Sequence, residues 1–106
     1  MSTADKIREL NDQFRQSMRG GQLMLTRGIA GRSDTDVILD QVRRFTTFSQ
    51  DNDPHGEHDF GAFDHRGDKI FWKIDYYDLA LAQGSDDPAD PSVTTRVLTV
   101  MLADEY

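Results

Sequence analysis

The sequence predicts an α+β fold: a small antiparallel or mixed three-stranded sheet with helices packed on one face. Two observations carry this. The segment ADKIRELNDQFRQSM places Ile7, Leu10, Phe14 and Met18 at steps of three and four, one apolar stripe of a helix. Further on, HDFGAFDH and DKIFWKIDYY are strand-like runs separated by Arg66-Gly67, which reads as a hairpin. The expected order is helix, strand, helix, strand, strand, helix. With 106 residues the chain has the length of one domain, expected over 1–106.

The elements follow in chain order. Gly20-Gly21 stop the first helix, and Leu23 and Leu25 alternate with Met24 and Thr26 in a short strand. Gly28 to Arg32 read as a glycine-punctuated loop. Ser33 is the expected N-cap of a second helix through Val37, Ile38, Val42 and Phe45. Asp34 and Asp36 lie in its first turn and Arg43 and Arg44 in its last, as the helix dipole favours. The run FTTFSQDNDPHGEHDFG is too polar and turn-rich for an element before residue 58. A two-residue hairpin turn sets Phe63 opposite Ile70, Gly61 opposite Trp72, Asp64 opposite Lys69 and, at the far end, His58 opposite Asp75. Alternation along the second strand turns Ile70, Trp72 and Ile74 toward the helices, where Leu98 and Met101 are expected to join them. DLALAQGSDDPADP is an acidic loop. Asp90-Pro91 has the form of a helix start, so a final helix is expected through Val93, Val97, Leu98, Val100 and Met101.

Composition narrows the function classes. There is no cysteine, which excludes disulfides, thiol nucleophiles and cysteine-held metals. Residues 1–50 hold eight Lys/Arg against six Asp/Glu, while residues 51–106 hold four against thirteen. The second half therefore carries a net charge of −9 and the whole chain −7. Direct binding of duplex DNA, which needs clustered cations, is disfavoured. The N-terminus lacks the apolar core of a secretory signal and no run approaches the ~20 apolar residues of a membrane span, so a cytoplasmic location is expected.

The densest set of potential ligands is Asp51, Asp53, His55, Glu57, His58 and Asp59, followed by Asp64 and His65. Carboxylates and imidazoles together suit a divalent metal. Known patterns fit poorly, however. His55-Gly-Glu57-His58 has neither zincin spacing nor its inverted form, and a calcium loop begun at Asp51 would need a Glu where Ala62 stands. No cofactor is therefore expected. With Asp75 beside His58, and Lys73 and Tyr77 on the same strand face, loop 51–59 and this polar face form the candidate functional patch.

The blocks NDPHGEHDFGAF at 52–63, IFWKIDYYD at 70–78, LTRGI near 25 and DPADPSVTTRVLTVMLADEY at the end resemble a family of small bacterial proteins, catalogued as a domain of unknown function and known mainly from alphaproteobacteria and some of their mobile elements. The resemblance implies one complete domain and carries over no activity, cofactor or catalytic residue. Its mobile-element association favours a host-interaction role. The expected function is a non-enzymatic acidic module or inhibitor that engages the basic surface of a protein partner. A nucleic-acid-handling protein countered by phosphate mimicry, as by an anti-CRISPR protein, is one version. The rival is a small metal-dependent or acid–base hydrolase using loop 51–59.

Overall fold

The computed structural model describes residues 2–106. Helix α1 (Thr3–Ser17) leads into strand β1 (Gly21–Leu25), short helix α2 (Arg27–Ala30) and helix α3 (Thr35–Arg43). Strands β2 (Phe60–His65), β3 (Asp68–Tyr77) and β4 (Thr95–Leu102) follow, and a 3-10 turn (Ala103–Glu105) closes the chain. The fold is α+β, but its sheet has four strands in the order β1-β4-β3-β2. β1 runs parallel to β4, and the other two pairings are antiparallel.

The fourth strand replaces the expected final helix. Thr94, Thr95, Val97, Thr99 and Val100 are β-branched and lose rotamer freedom in a helix, whereas they fit a pleated strand. β4 lies between β1 and β3 and is buried on both faces, so its apolar residues Val97, Leu98, Val100 and Met101 show no clean period of two. Asp90-Pro91 does not start a helix. The Asp90 carboxylate accepts the Ser92 amide at 2.9 Å and its hydroxyl at 2.7 Å, an Asx turn with the same residue signature as a cap.

The hairpin register is the expected one, with Gly61 opposite Trp72, Phe63 opposite Ile70 and Asp64 opposite Lys69. Ile70, Trp72 and Ile74 pack with Phe14, Ile29, Ile38, Val42, Leu98 and Val100. Met101 does not join them. In an extended β4 it alternates away from Leu98 and Val100 and sits opposite Phe71 on the other face, buried by its sheet neighbours. The loop expected at Gly28 to Arg32 contains α2, whose Ile29 is fully buried. The cap of α3 falls on Asp34 instead of Ser33 and makes no side-chain capping bond.

α1 begins with a capping box: the Asp5 amide donates to Ser2 Oγ at 3.1 Å and the Ser2 amide to Asp5 Oδ2 at 3.3 Å. Its buried side includes two polar residues, Asn11 at 0 % and Arg15 at 1 % exposure. Arg15 Nη1 donates to the carbonyls of Val42, Arg43 and Phe45 at 2.9–3.1 Å. It thus serves the open C-terminus of α3 with a cation where the helix dipole is negative.

Candidate functional site

The connection from α3 to β2 crosses α1. Asn52 bends it early, accepting the Ser49 amide at 2.8 Å and donating to the Thr47 carbonyl at 2.9 Å. Buried Asp53 accepts the amides of Glu57 and His58 on one carboxylate oxygen at 3.1 and 3.0 Å. From α1, Arg8 donates to the Gly56 carbonyl and Asn11 to the Glu57 carbonyl, both at 3.0 Å. The carboxylates and turn residues therefore hold the shape of this loop.

His58 does not reach Asp75. It adopts a positive φ of 54°, which leaves the strand path before β2 starts and turns the ring to the helix side. There it stacks on Phe48 at 3.7 Å, and its Nδ1 meets Asp12 Oδ1 at 2.9 Å while Nε2 lies 3.7 Å from Asp53. Asp75 instead pairs with Lys73 at 2.8 Å, and this hydrogen bond raises the lysine pKa. Lys73, Asp75 and Tyr77 occupy the face of β3 opposite Trp72, Ile74 and Tyr76. The loop and the polar strand face consequently lie on opposite sides of the sheet, and the expected single patch is two separate surfaces.

Within the loop, Asp51 and His55 are exposed, and Glu57, His58 and Asp59 are half-buried. Tyr76 donates to Glu57 Oε1 at 2.9 Å and accepts from Asn11 Nδ2 at 2.8 Å. Burial pushes the Tyr76 phenol well above its ordinary pKa. Asp59 is also raised, first by burial and then by the neighbouring Glu57 charge. An open groove of about 460 Å³ is floored by Phe48, Asp53 and His58 and edged by Ser49 and His55. Asp12 and Phe48 recommend themselves only in space, since neither is near His58 in sequence. Exposed His55 and stacked His58 should respond differently to mutation. His55→Ala is expected to leave the thermal midpoint unchanged, and His58→Ala to lower it by about 4–8 °C for ~1 kcal/mol of lost stacking and hydrogen bonding, read by calorimetry.

The third histidine goes elsewhere. His65 Nε2 donates to Asp34 at 2.8 Å, and Nδ1 accepts from Gln41 Nε2 at 2.8 Å. Arg32 grips the same Asp34 carboxylate at 2.9 and 3.3 Å and reaches Asp68 at 2.8 Å. Among the described residues no three His, Asp or Glu side chains are grouped to hold a metal ion. The Arg32 guanidinium, then His65, hold the Asp34 carboxyl far below the usual carboxylate range. A depressed folded-state pKa contributes stability above the unfolded value that is lost as pH falls through the folded one. Urea midpoints should therefore drop on acidification below pH ~4. Asp34→Asn should flatten that acid limb while lowering stability at neutral pH.

A further surface, acidic in sequence but outside the expected patch, is the loop between β3 and β4. Asp78 holds it: its amide donates to the Gln83 carbonyl at 2.8 Å, its carbonyl accepts the Leu81 amide at 3.0 Å, and its carboxylate accepts the Ala82 amide at 2.9 Å. Leu79 is nonetheless 65 % and Leu81 44 % exposed, the latter at φ 59°. Asp86 and Asp87 are exposed farther along the same loop. The available signal was apolar Leu-Ala-Leu inside an otherwise acidic turn segment.

Residues 25–105 match the model of a family described as protein of unknown function (DUF3768). No curated protein and no solved structure matches the chain. No helix among the described residues is long and apolar enough to cross a membrane.

Proposed function

The chain belongs to the DUF3768 family, whose description assigns no activity, and from that premise we propose that it is a non-enzymatic binding module that engages a basic protein partner through the acidic loop between β3 and β4. One observation carries this reading: Leu79 and Leu81 stand in solvent on a loop whose backbone is held by hydrogen bonds to Asp78 and which also carries the exposed Asp86 and Asp87. Leaving a leucine exposed forgoes roughly 1.5–3 kcal/mol of burial. A left-handed φ at Leu81 adds backbone strain. The burial cost is recovered when a partner covers the leucines, and a preformed loop loses little entropy on binding. The flanking carboxylates select a basic rim around an apolar centre and speed association at low salt. A nucleic-acid-handling protein has such a basic surface, and the carboxylates would stand in for phosphates there. The mobile-element association implied by the family resemblance fits an inhibitor of this kind.

The test is a double variant, Leu79→Ser with Leu81→Ser. Partner capture from the source cells should fall at least about tenfold, the effect of losing ~1.4 kcal/mol or more at a binding anchor. The thermal midpoint should stay unchanged, because neither side chain is in the core. Capture should weaken with added salt and be displaced by duplex nucleic acid. Full capture by the double variant would sink the proposal.

The acid–base rival draws support from His58, held between Asp12 and Asp53 over an open groove. Its metal-dependent form has no ligand group to stand on among the described residues.

A further inference from the structure

Arg96 of β4 is only 3 % exposed, yet among the described residues its guanidinium has no carboxylate within 4.0 Å. Its Nε donates to Asn11 Oδ1 at 2.7 Å, Nη2 donates to the Pro88 carbonyl, and the Tyr76 ring covers one side at 5.2 Å. The carboxylate of Glu57 is reached only through Asn11 and Tyr76. Among the described residues Nη1 makes no protein hydrogen bond, and it is not among the polar atoms sealed off without a partner. Its donors therefore face accessible space. Arg96 also lines a cavity of about 130 Å³ together with Gln13, Phe14, Arg19 and Pro91.

A buried cation without a counter-ion is costly, and a guanidinium fork matches an oxyanion. From this geometry we infer that the cavity between the C-terminal half of α1 and the start of β4 is a binding site for a small organic carboxylate. The carboxylate end meets Arg96 Nη1, with Arg19 adding a second positive charge at the rim. Phe14 and Pro91 give a short aliphatic tail apolar walls. A monoanion is favoured over a phosphate dianion, because the last turns of α1 present the negative end of the helix dipole to the same space. The volume admits a molecule of a few heavy atoms, for which a dissociation constant of about 1 mM is the expected scale.

The experiment is a titration of the full chain with acetate, propionate and inorganic phosphate at constant ionic strength, followed by the NMR signals of arginine side-chain Nε–H groups. Acetate or propionate should shift the Arg96 signal saturably. Gln13→Trp, a plug introduced from an exposed position of α1, should abolish that shift without unfolding the protein. Arg19→Ala should weaken binding severalfold. No saturable shift with either carboxylate overturns the assignment, as does a shift that survives the plug in a folded variant. Binding of phosphate in preference to both carboxylates overturns the choice of ligand class.

Discussion

Replacing Arg15 with alanine is expected to destabilise the protein by about 3–5 kcal/mol, a large fraction of what a domain this size possesses. The side chain is 1 % exposed and performs three tasks at once. Nη1 serves three carbonyls at the end of α3, Nη2 meets Asp12 at 3.1 Å, and the guanidinium lies 5.5 Å from the Phe48 ring and 5.1 Å from that of Trp72. Truncation leaves those carbonyls without a donor and opens a void against two aromatic rings. It also frees Asp12, so the support beneath His58 loosens. Arg15→Lys should recover only part of the loss, because an ammonium on a flexible stem cannot fan donors to three carbonyls while stacking on rings. Urea unfolding checks both variants. A loss below ~1 kcal/mol for Arg15→Ala would mean that water replaces the guanidinium at the end of α3.

Trp72→Ala should cost a comparable ~3–5 kcal/mol, the range for deleting a fully buried aromatic. The indole is 0 % exposed and meets Phe45 and Phe48 edge-on at 5.5 and 6.1 Å. Opposite it stands Gly61, where an added Cβ would fall 2.6 Å from indole Cε2, so the ring occupies the space a side chain would take. The indole nitrogen is buried without an acceptor among the described residues. Trp72→Phe removes that unpaired donor along with some volume, and the two effects oppose each other. The phenylalanine variant should therefore lose less than about 1.5 kcal/mol, well under the usual penalty for shrinking a core ring. Thermal unfolding of both variants decides this. A phenylalanine variant as unstable as the alanine one would show that ring size alone matters here.

The parts of the fold legible in the sequence are those set by local chemistry. The hairpin register followed from Arg66-Gly67 and from the fit of a large ring on a bare backbone. α1 followed from its stripe, although Leu10 is only half-buried while the polar Asn11 and Arg15 share the buried side. β4 was misread because a strand buried on both faces has no period of two, and because Asp-Pro marks an Asx turn as readily as a helix start. The candidate site was less legible. Asp53 does meet His58 and holds the Glu57 and His58 amides, but one left-handed residue at His58 sends the ring to α1 instead of Asp75. A single backbone torsion of this kind leaves no trace in composition or spacing. Asp12, Phe48 and the α1 contacts come from distant parts of the chain, and Leu79 and Leu81 stand out only once exposure is known.

The placement of β4 inside the sheet also governs when the fold can form. Among the described residues β1 pairs with β4 alone, and the β2–β3 hairpin joins β1 through it. During synthesis β1 and the hairpin therefore lack their shared sheet neighbour until Thr95–Leu102 emerges. The β1–β4 pairing spans most of the chain, and closing so long a loop before any reward slows folding. The nascent protein thus passes through a window in which the facing edges of β1 and β3 are unpaired and open to chaperones or to edge-to-edge association, until β4 slots between them.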